Sequence, residues 1–198
     1  LTLEALARLN WRMKEEGIDR TVVAFFITRQ PYHSLNAEVL QNKAQIEEIW
    51  RTTQEIREQV STRLYQDITS QESYLFPDIT ALVDDYYKLK LRRVVQSWKS
   101  KHLPTIVTHN LVNQDHDDIL NFLRSANLVN RPEDRVKVVY HPDFVDPSNP
   151  LFKMDYTQFV RGCHMGLFPS YYEPWGYTPL ECLASGVPSI TSDLSGFG

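Results

Sequence analysis

Apolar residues recur at helical spacing from the start of the chain. Leu3, Leu6, Leu9 and Met13 form one stripe, closed by Gly17, which predicts an amphipathic helix ended by a residue suited to a left-handed cap. The next run, Thr21 to Thr28 (TVVAFFIT), is β-branched and aromatic. It is apolar on both faces, as a central parallel strand is. A long polar helix pattern follows from about Leu35 to Ile68, with Val39, Ile46, Ile49, Ile56 and Val60 near heptad a/d spacing. After a break at Ser70 to Pro77, a second helical run covers Ile79 to Lys99, with Leu82, Tyr86, Leu89 and Val94 on one stripe. Two antiparallel helices inserted after a core strand make an αα-hairpin. Its apolar stripe packs on itself or on copies of itself in an oligomer; the pattern leaves both open.

Alternation then resumes. Thr105 to His109 reads as a strand, Asp115 to Leu128 as a helix with an acidic first turn, and Val136 to Tyr140 as a strand. Tyr156 to Cys163 reads as a short helix, Met165 to Phe168 as a strand, Pro179 to Ser185 as a helix and Ser189 to Ser192 as a strand. This rhythm predicts an α/β fold with a doubly wound parallel sheet. The sheet domain takes residues 1–30 and 101–198, and the helical insertion takes 31–100. An amphipathic pattern already running at Leu1, and an end at Ser195-Gly196-Phe197-Gly198 just past a strand, lead us to expect a fragment of a longer protein.

Composition narrows the classes. The chain has 198 residues, 42% hydrophobic and 23% charged, which fits a globular domain rather than a disordered one. A net charge of -4 without a Lys/Arg block disfavours nucleic-acid binding. No apolar stretch reaches membrane-spanning length and no secretory segment opens the chain. Cys163 and Cys182, in apolar surroundings, read as two reduced thiols. Asp115-His116-Asp117-Asp118 reads as a dipole-matched helix start rather than a metal site, because adjacent helical residues do not converge on one ion. His109 and His141 fall at strand ends with no assigned role.

Candidate chemistry concentrates in the run from Ser170 to Glu181, SYYEPWGYTPLE. Glu173 follows the strand Met165 to Phe168, and in open parallel sheets ligands sit beyond the carboxyl ends of the strands. Gly176-Tyr177-Thr178 leads into a helix, with Thr178 suited to the N-cap, Pro179 to the first helical position, and Glu181 three residues after the cap. Free N–H groups there form an anion site that suits a diphosphate, and Gly176 permits close approach. Plainer readings stand beside these. Thr178 and Glu181 also make a capping box, Glu173 also reads as a solvated loop acid, and Tyr171, Tyr172, Trp175 and Tyr177 also read as packing. A carboxylate among aromatic rings nevertheless matches sugar recognition.

The spacing of Glu173 and Glu181, with seven residues between them, resembles the carboxylate pair of retaining, two-domain (GT-B) sugar-nucleotide glycosyltransferases. A longer set is more specific: FPSYYEPWGYTPLE, with PTIVTHN (104–110), VVYHPDFV (138–145), FVRGCHMGLFPSYYEPWGY (159–177) and PSITSDLSGFG (188–198). Together they resemble eukaryotic-type glycogen synthases, animal and fungal, over nearly the whole chain.

The resemblance implies the C-terminal Rossmann-like half of such an enzyme, carrying its helical insertion. It implies retaining transfer of glucose from UDP-glucose to the non-reducing 4-OH of an α-1,4-glucan, without a metal or other cofactor. Glu173 matches the catalytic acid facing the donor glucose, and Glu181 matches the acid that binds the ribose. Gly176, Tyr177 and Thr178 match the turn that holds the diphosphate, Trp175 is grouped with them, and Tyr156 matches the ring on uracil. His164 matches a histidine of the glucose 6-phosphate activator site. Tyr156 also reads as a helix staple, and His164 as a core histidine. Implied partners are glycogen, UDP-glucose, glucose 6-phosphate, further copies in a homotetramer built on the insertion, and glycogenin. The implied location is cytoplasmic and glycogen-associated. The family's phosphate-neutralising cations, N-terminal domain and arginine-rich helix have no counterpart in the chain, so the 198 residues alone are expected to transfer no glucose. Another retaining glycosyltransferase, using a donor such as ADP-glucose, and a non-catalytic scaffold of the same fold remain the alternatives.

Overall fold

The structure, a computed structural model, describes residues 1–70, 78–98 and 103–196. The chain divides into two compact units, Leu1–Asn36 with Pro104–Gly198, and Ala37–Leu103. The first is mixed α/β with parallel strand pairs.

Its spine is β4 (Val136–His141), with Val136, Val138, Tyr140 and His141 buried and Lys137 and Val139 half-buried. Strand β1 (Val22–Ile27) lies parallel along one edge, from Val22 opposite Val136 to Ile27 opposite His141. The other edge is closed piecemeal. Near its C-terminal end, the Tyr140 N–H donates to the Ile106 carbonyl at 2.8 Å and Thr108 N–H donates to the Tyr140 carbonyl at 2.9 Å. One step back, the side chain of Asn130 stands in for a strand. Its Oδ1 accepts from Val138 N–H at 2.7 Å and its Nδ2 donates to the Val138 carbonyl at 2.8 Å. A left-handed backbone at Asn130, φ 60°, goes with this buried placement. One step further back, Asn10 Oδ1 accepts from Val136 N–H at 3.0 Å and from Arg135 N–H at 2.7 Å.

Asn10 belongs to α1 (Thr2–Glu15), which ends as predicted at Gly17, φ 64°. Ile18 N–H reaches back to the Met13 carbonyl and Gly17 N–H to that of Lys14, satisfying the last turn. The expected stripe is corrected at one position: Leu9 is exposed, and Asn10 joins Leu6 and Met13 inside. Against them pack Leu123, Leu128, Val136 and Val138. Under this layer Asp134 is almost fully buried and accepts from Lys14 Nζ at 2.7 Å, Asn10 Nδ2 at 3.1 Å and Arg131 N–H at 2.8 Å.

Helix α4 (Asp118–Ser125) starts later than the sequence predicts. Asp117 takes an extended conformation and its Oδ1 caps Leu120 N–H at 2.8 Å, so residues 114–116 form only one 3-10 turn before it. Asn127, φ 56°, ends the helix short of Leu128. The opposite oxygen of Asp117 accepts from the Tyr140 hydroxyl at 3.0 Å, and burial, with this bond, pushes the phenol up. The strand expected over Thr105 to His109 is reduced to a parallel bridge at Val107. The chain then turns into β3 (His109–Leu111), antiparallel to a short unpredicted strand, β2 (Tyr32–Leu35). Strand β1 is apolar on both faces, yet Val23 and Phe25 on one of them are 49% and 41% exposed.

A second parallel pair, β5 (Gly166–Phe168) and β6 (Ser189–Thr191), is linked through α6 (Tyr177–Ala184). Cys182 of α6 packs with Val187 and with Val160 of α5 (Tyr156–Arg161). Both thiols are free, and burial pushes each up.

In the second unit, α2 (Ala37–Ser70) is one long helix and α3 (Asp85–Trp98) runs back along it. Gln45 meets Ser97, Lys90 meets Glu48, and Gln59 and Arg63 meet Asp84. The second helical run is corrected at its start, where Ile79–Leu82 is a 3-10 turn capped by Asp78. Its expected stripe is corrected too. Tyr86 and Leu89 are exposed, whereas Tyr87, Lys90, Leu91 and Val94 are half-buried. The seam is polar because Lys90 and Asp84 occupy it. On α2, Ile49, Ile56, Val39 and Val60 are half-buried and Ile46 is exposed. Thr52 is fully buried with an unpartnered Oγ1. Most of the break expected at Ser70 to Pro77, and the end of the second run at Lys99, lie outside the described residues.

Two measurements check this account. Burial alone would raise the Asp134 carboxyl, but its bonds from Lys14, Asn10 and Arg131 outweigh that and hold it below the usual range. Its stabilisation is therefore complete above the unfolded value of about 3.9 and is lost as pH falls through the depressed folded value. Asp134→Asn is expected to cost about 1–3 kcal/mol at neutral pH, with the gap to wild type closing in acid, as read by urea unfolding at several pH values. A gap independent of pH would show that the charge is not what stabilises. Thr52→Val removes a buried hydroxyl without a partner and is expected to raise stability by about 1 kcal/mol; destabilisation would mean the hydroxyl is bonded.

Candidate active site

Strand β5 ends at Phe168, and the chain beyond it carries the candidate residues. Ser170 is tied to Ser192, which follows β6. The Ser170 N–H donates to Ser192 Oγ at 3.2 Å, and that hydroxyl donates to the Ser170 carbonyl. Ser170 Oγ in turn accepts from Tyr172 N–H at 3.2 Å. Three residues on, Glu173 pairs with Ser195 in a parallel bridge, and Gly196 N–H donates to the Glu173 carbonyl at 2.7 Å. The turn bearing Glu173 is thus clasped at two points to the turn after β6. Approach at the second point requires glycine: a Cβ on Gly196 would lie 1.9 Å from the Pro174 carbonyl oxygen.

The Glu173 side chain is exposed, and its Oε1 accepts from Gly176 N–H at 3.3 Å. Gly176 is buried, has φ 64° and is the N-cap of α6. This corrects the expected helix start. Tyr177, not Pro179, is the first helical residue, and no side chain caps the helix. The capping box of Thr178 and Glu181 is therefore not formed, since a left-handed glycine enters the helix two residues earlier. A capping box does form at α5, between Asp155 and Gln158. Glu181, relieved of a cap, is exposed one turn into α6, as is Thr178 near its start.

Tyr156 is half-buried at the first position of α5 and packs against the cluster of Val160, Cys182 and Val187. Burial raises its phenol, and the negative charge of Glu181 raises it further. The rings of Trp175 and Tyr177 lie nearly parallel, 10° apart with centroids at 6.3 Å, and both are largely exposed. The structure therefore brings Glu173, Gly176, Trp175 and Tyr177 into one turn, and packs Tyr156 against the cluster that holds Cys182, the residue after Glu181. It does not bring His164 to them. That residue is exposed and precedes β5, whereas Glu173 follows it.

Chemically, the turn offers a carboxylate to solvent beside the free N–H groups of a helix N-terminus, an arrangement suited to a ligand with a sugar and an anionic group. Among the described residues no group of three or more His, Cys, Asp and Glu could hold a metal ion. No described helix is long and apolar enough to cross a membrane.

Two groupings escaped the sequence reading, although His109 and His141 of the second were seen there as strand-end residues. The Ser170–Ser192 and Glu173–Gly196 clasp joins residues 22 and 23 positions apart, and only Gly196, set between a serine and an aromatic residue, hinted at a close approach. The second is a buried cluster at the end of β4. Thr108 Oγ1 lies 2.9 Å from Nδ1 of both His109 and His141. At the rim of this cluster the exposed Tyr32 ring lies against His109, tilted by 51°, and its hydroxyl donates to Asp143 at 2.6 Å. Burial pushes both imidazoles down, favouring their neutral forms.

Known proteins resemble the chain along its length. The family model described as glycogen synthase matches residues 1–198. A glycogen [starch] synthase of Neurospora crassa is 45% identical, over 99% of this chain and 28% of its own length. Isoform 2 of the Saccharomyces cerevisiae enzyme is 42% identical, over 99% of the chain and 29% of its own length. The human liver enzyme is 41% identical, over 99% and 28%. The chain thus spans less than a third of the length of these relatives.

Gly196→Ala tests the clasp. The clash with Pro174 is expected to open the Glu173 turn and speed chymotryptic cleavage after Tyr171, Tyr172 or Trp175 by about tenfold or more. Cleavage at the wild-type rate would show that the turn holds without it.

Proposed function

This chain belongs to the glycogen synthase family, and we propose that its protein transfers glucose from UDP-glucose to the non-reducing 4-OH of an α-1,4-glucan with retention. One observation carries the reading: Glu173 stands exposed on a clasped turn beyond β5, with its carboxylate against the N-cap of α6. In this reading the first unit is the C-terminal Rossmann-like half of a GT-B enzyme.

The bond from glucose C1 to the β-phosphate oxygen breaks, and positive charge grows at the sugar. The Glu173 carboxylate offsets that charge and binds sugar hydroxyls. Negative charge grows on the leaving diphosphate, which the N–H groups of Tyr177 and Thr178 receive at the α6 N-terminus, where Gly176 lets it approach closely. Glu181 accepts from the ribose hydroxyls, and Tyr156 lies under the uracil ring. The acceptor 4-OH attacks from the face the phosphate leaves, and its proton passes to the departing oxygen. No metal ion takes part in this scheme.

The same reading assigns His164, on the far side of β5, to the glucose 6-phosphate activator site, and the α2 and α3 helices to assembly of a homotetramer. Association with glycogen and glycogenin in the cytoplasm completes it.

The test is kinetic and uses the full-length protein. Glu173→Gln is expected to lower kcat about 10²–10³-fold while UDP binding, by calorimetry, stays within about threefold. Near-normal transfer would remove Glu173 from its role, and tighter binding of ADP than of UDP would reassign the donor. Light scattering on the wild-type preparation is expected to give the mass of a tetramer; a monomer mass would remove the helices from that role.

A further inference from the structure

We propose that His141 is a positioning residue for donor binding: it ties the loop after β4 to the sheet, and that loop sets α5 so that Tyr156 can stack on the base. The inference rests on the transfer reading above, which places Tyr156 under the base. His141 closes β4 at the edge where parallel sheets hold their ligands, yet it is fully buried and cannot meet a ligand itself. A buried imidazole needs polar partners at both nitrogens. Nδ1 lies 2.9 Å from the hydroxyl of Thr108, whose own N–H donates to the Tyr140 carbonyl of β4. Nε2 lies 3.4 Å from the amide nitrogen of Asn149, in the loop. Asn149 is buried and folds the loop around itself. Its Oδ1 accepts from Leu151 N–H and its carbonyl from Lys153 N–H, each at 2.9 Å. One ring thus joins strand and loop.

Aromatic contacts carry the tie onward to α5. The His141 ring meets Phe152 edge-on at 4.8 Å, Phe152 meets Phe159 of α5 at 5.2 Å, and Phe159 meets Phe25 of β1 at 5.3 Å. All of these contacts are internal to the first unit. Helix α5 has six residues, too few to hold a helix in place without tertiary contacts. It is gripped from two sides, by Phe152 and Phe25 at Phe159, and by Cys182 and Val187 at Val160 and Tyr156. Loosening the first grip lets the helix shift against the second and displaces the Tyr156 ring. The Glu173 turn does not follow, because Ser192 and Gly196 hold it separately. The loss therefore falls on the base, and the diphosphate and the chemistry are spared.

The experiment measures calorimetric binding of UDP and of inorganic pyrophosphate, which has the anion without the base, to the full-length protein. Asn149→Ala and His141→Leu are each expected to weaken UDP about tenfold, a large part of a base-stacking contact, and to leave pyrophosphate within about twofold. In transfer assays the KM for UDP-glucose is expected to rise by a similar factor while kcat stays within about threefold. In a Tyr156→Ala background the same substitutions are expected to cost UDP nothing more, because they act through that ring. Should His141→Leu not fold, Asn149→Ala carries the comparison, since it cuts the tie from the loop side. Unchanged UDP affinity overturns the proposal. So does an equal loss for UDP and pyrophosphate, which would mark a general loss of structure, and so does a full further loss in the Tyr156→Ala background. A wild type that binds neither UDP nor ADP refutes the transfer reading itself, and the inference falls with it. Were ADP the tighter ligand, the same cycle is read with ADP.

Discussion

The fold of the first unit depends on satisfying the second edge of β4. Backbone groups buried away from water must find partners, and a strand between two sheet neighbours finds them by pairing. Here β1 serves one edge in full, whereas on the other a short strand segment reaches only Tyr140. Asn130 and Asn10 complete the row at Val138 and Val136. Each asparagine carries both an acceptor and donors, so each can imitate a peptide unit. Asn10 also fastens α1 to the start of β4 and shares Asp134 with Lys14. The helix, the strand and the loop before it are therefore one hydrogen-bonded body around an apolar layer of Leu6, Met13, Leu123 and Val138.

A related device builds the candidate site. The turn after β5 and the turn after β6 lie side by side because their strands are parallel neighbours. Serine hydroxyls and main-chain groups then join them. The carboxylate of Glu173 meets the N-cap of α6 as a result. Its position on the clasped turn, against the N-cap of α6, makes Glu173 a candidate for chemistry.

Much of this was legible in the sequence, for reasons particular to each element. The apolar run at Thr21 to Thr28, the period of α1 with Gly17 behind it, and the long heptad-like stretch of α2 all carry strong local signals. The carboxylates and the glycine turn were legible because they sit close together in the chain. What failed depended on distant partners or on a backbone conformation the pattern does not show. Asn10 looks like a polar interruption until Val136 is beside it. Thr178 looks like a cap until Gly176 adopts a left-handed conformation and starts the helix early. Tyr86 and Leu89 look like a stripe until Lys90 and Asp84 bring charged pairs into the seam.

The clasp has a consequence for how such a site can change. It uses main-chain atoms, two serines and one glycine, and no side chain of Tyr171, Tyr172 or Trp175. Shape and selectivity are therefore stored in different residues. The rings can be exchanged one at a time, by drift or by an engineer, without dismantling the bracket that aims the carboxylate. Gly196, by contrast, has no such freedom. The rim of this turn is replaceable trim on a fixed mount.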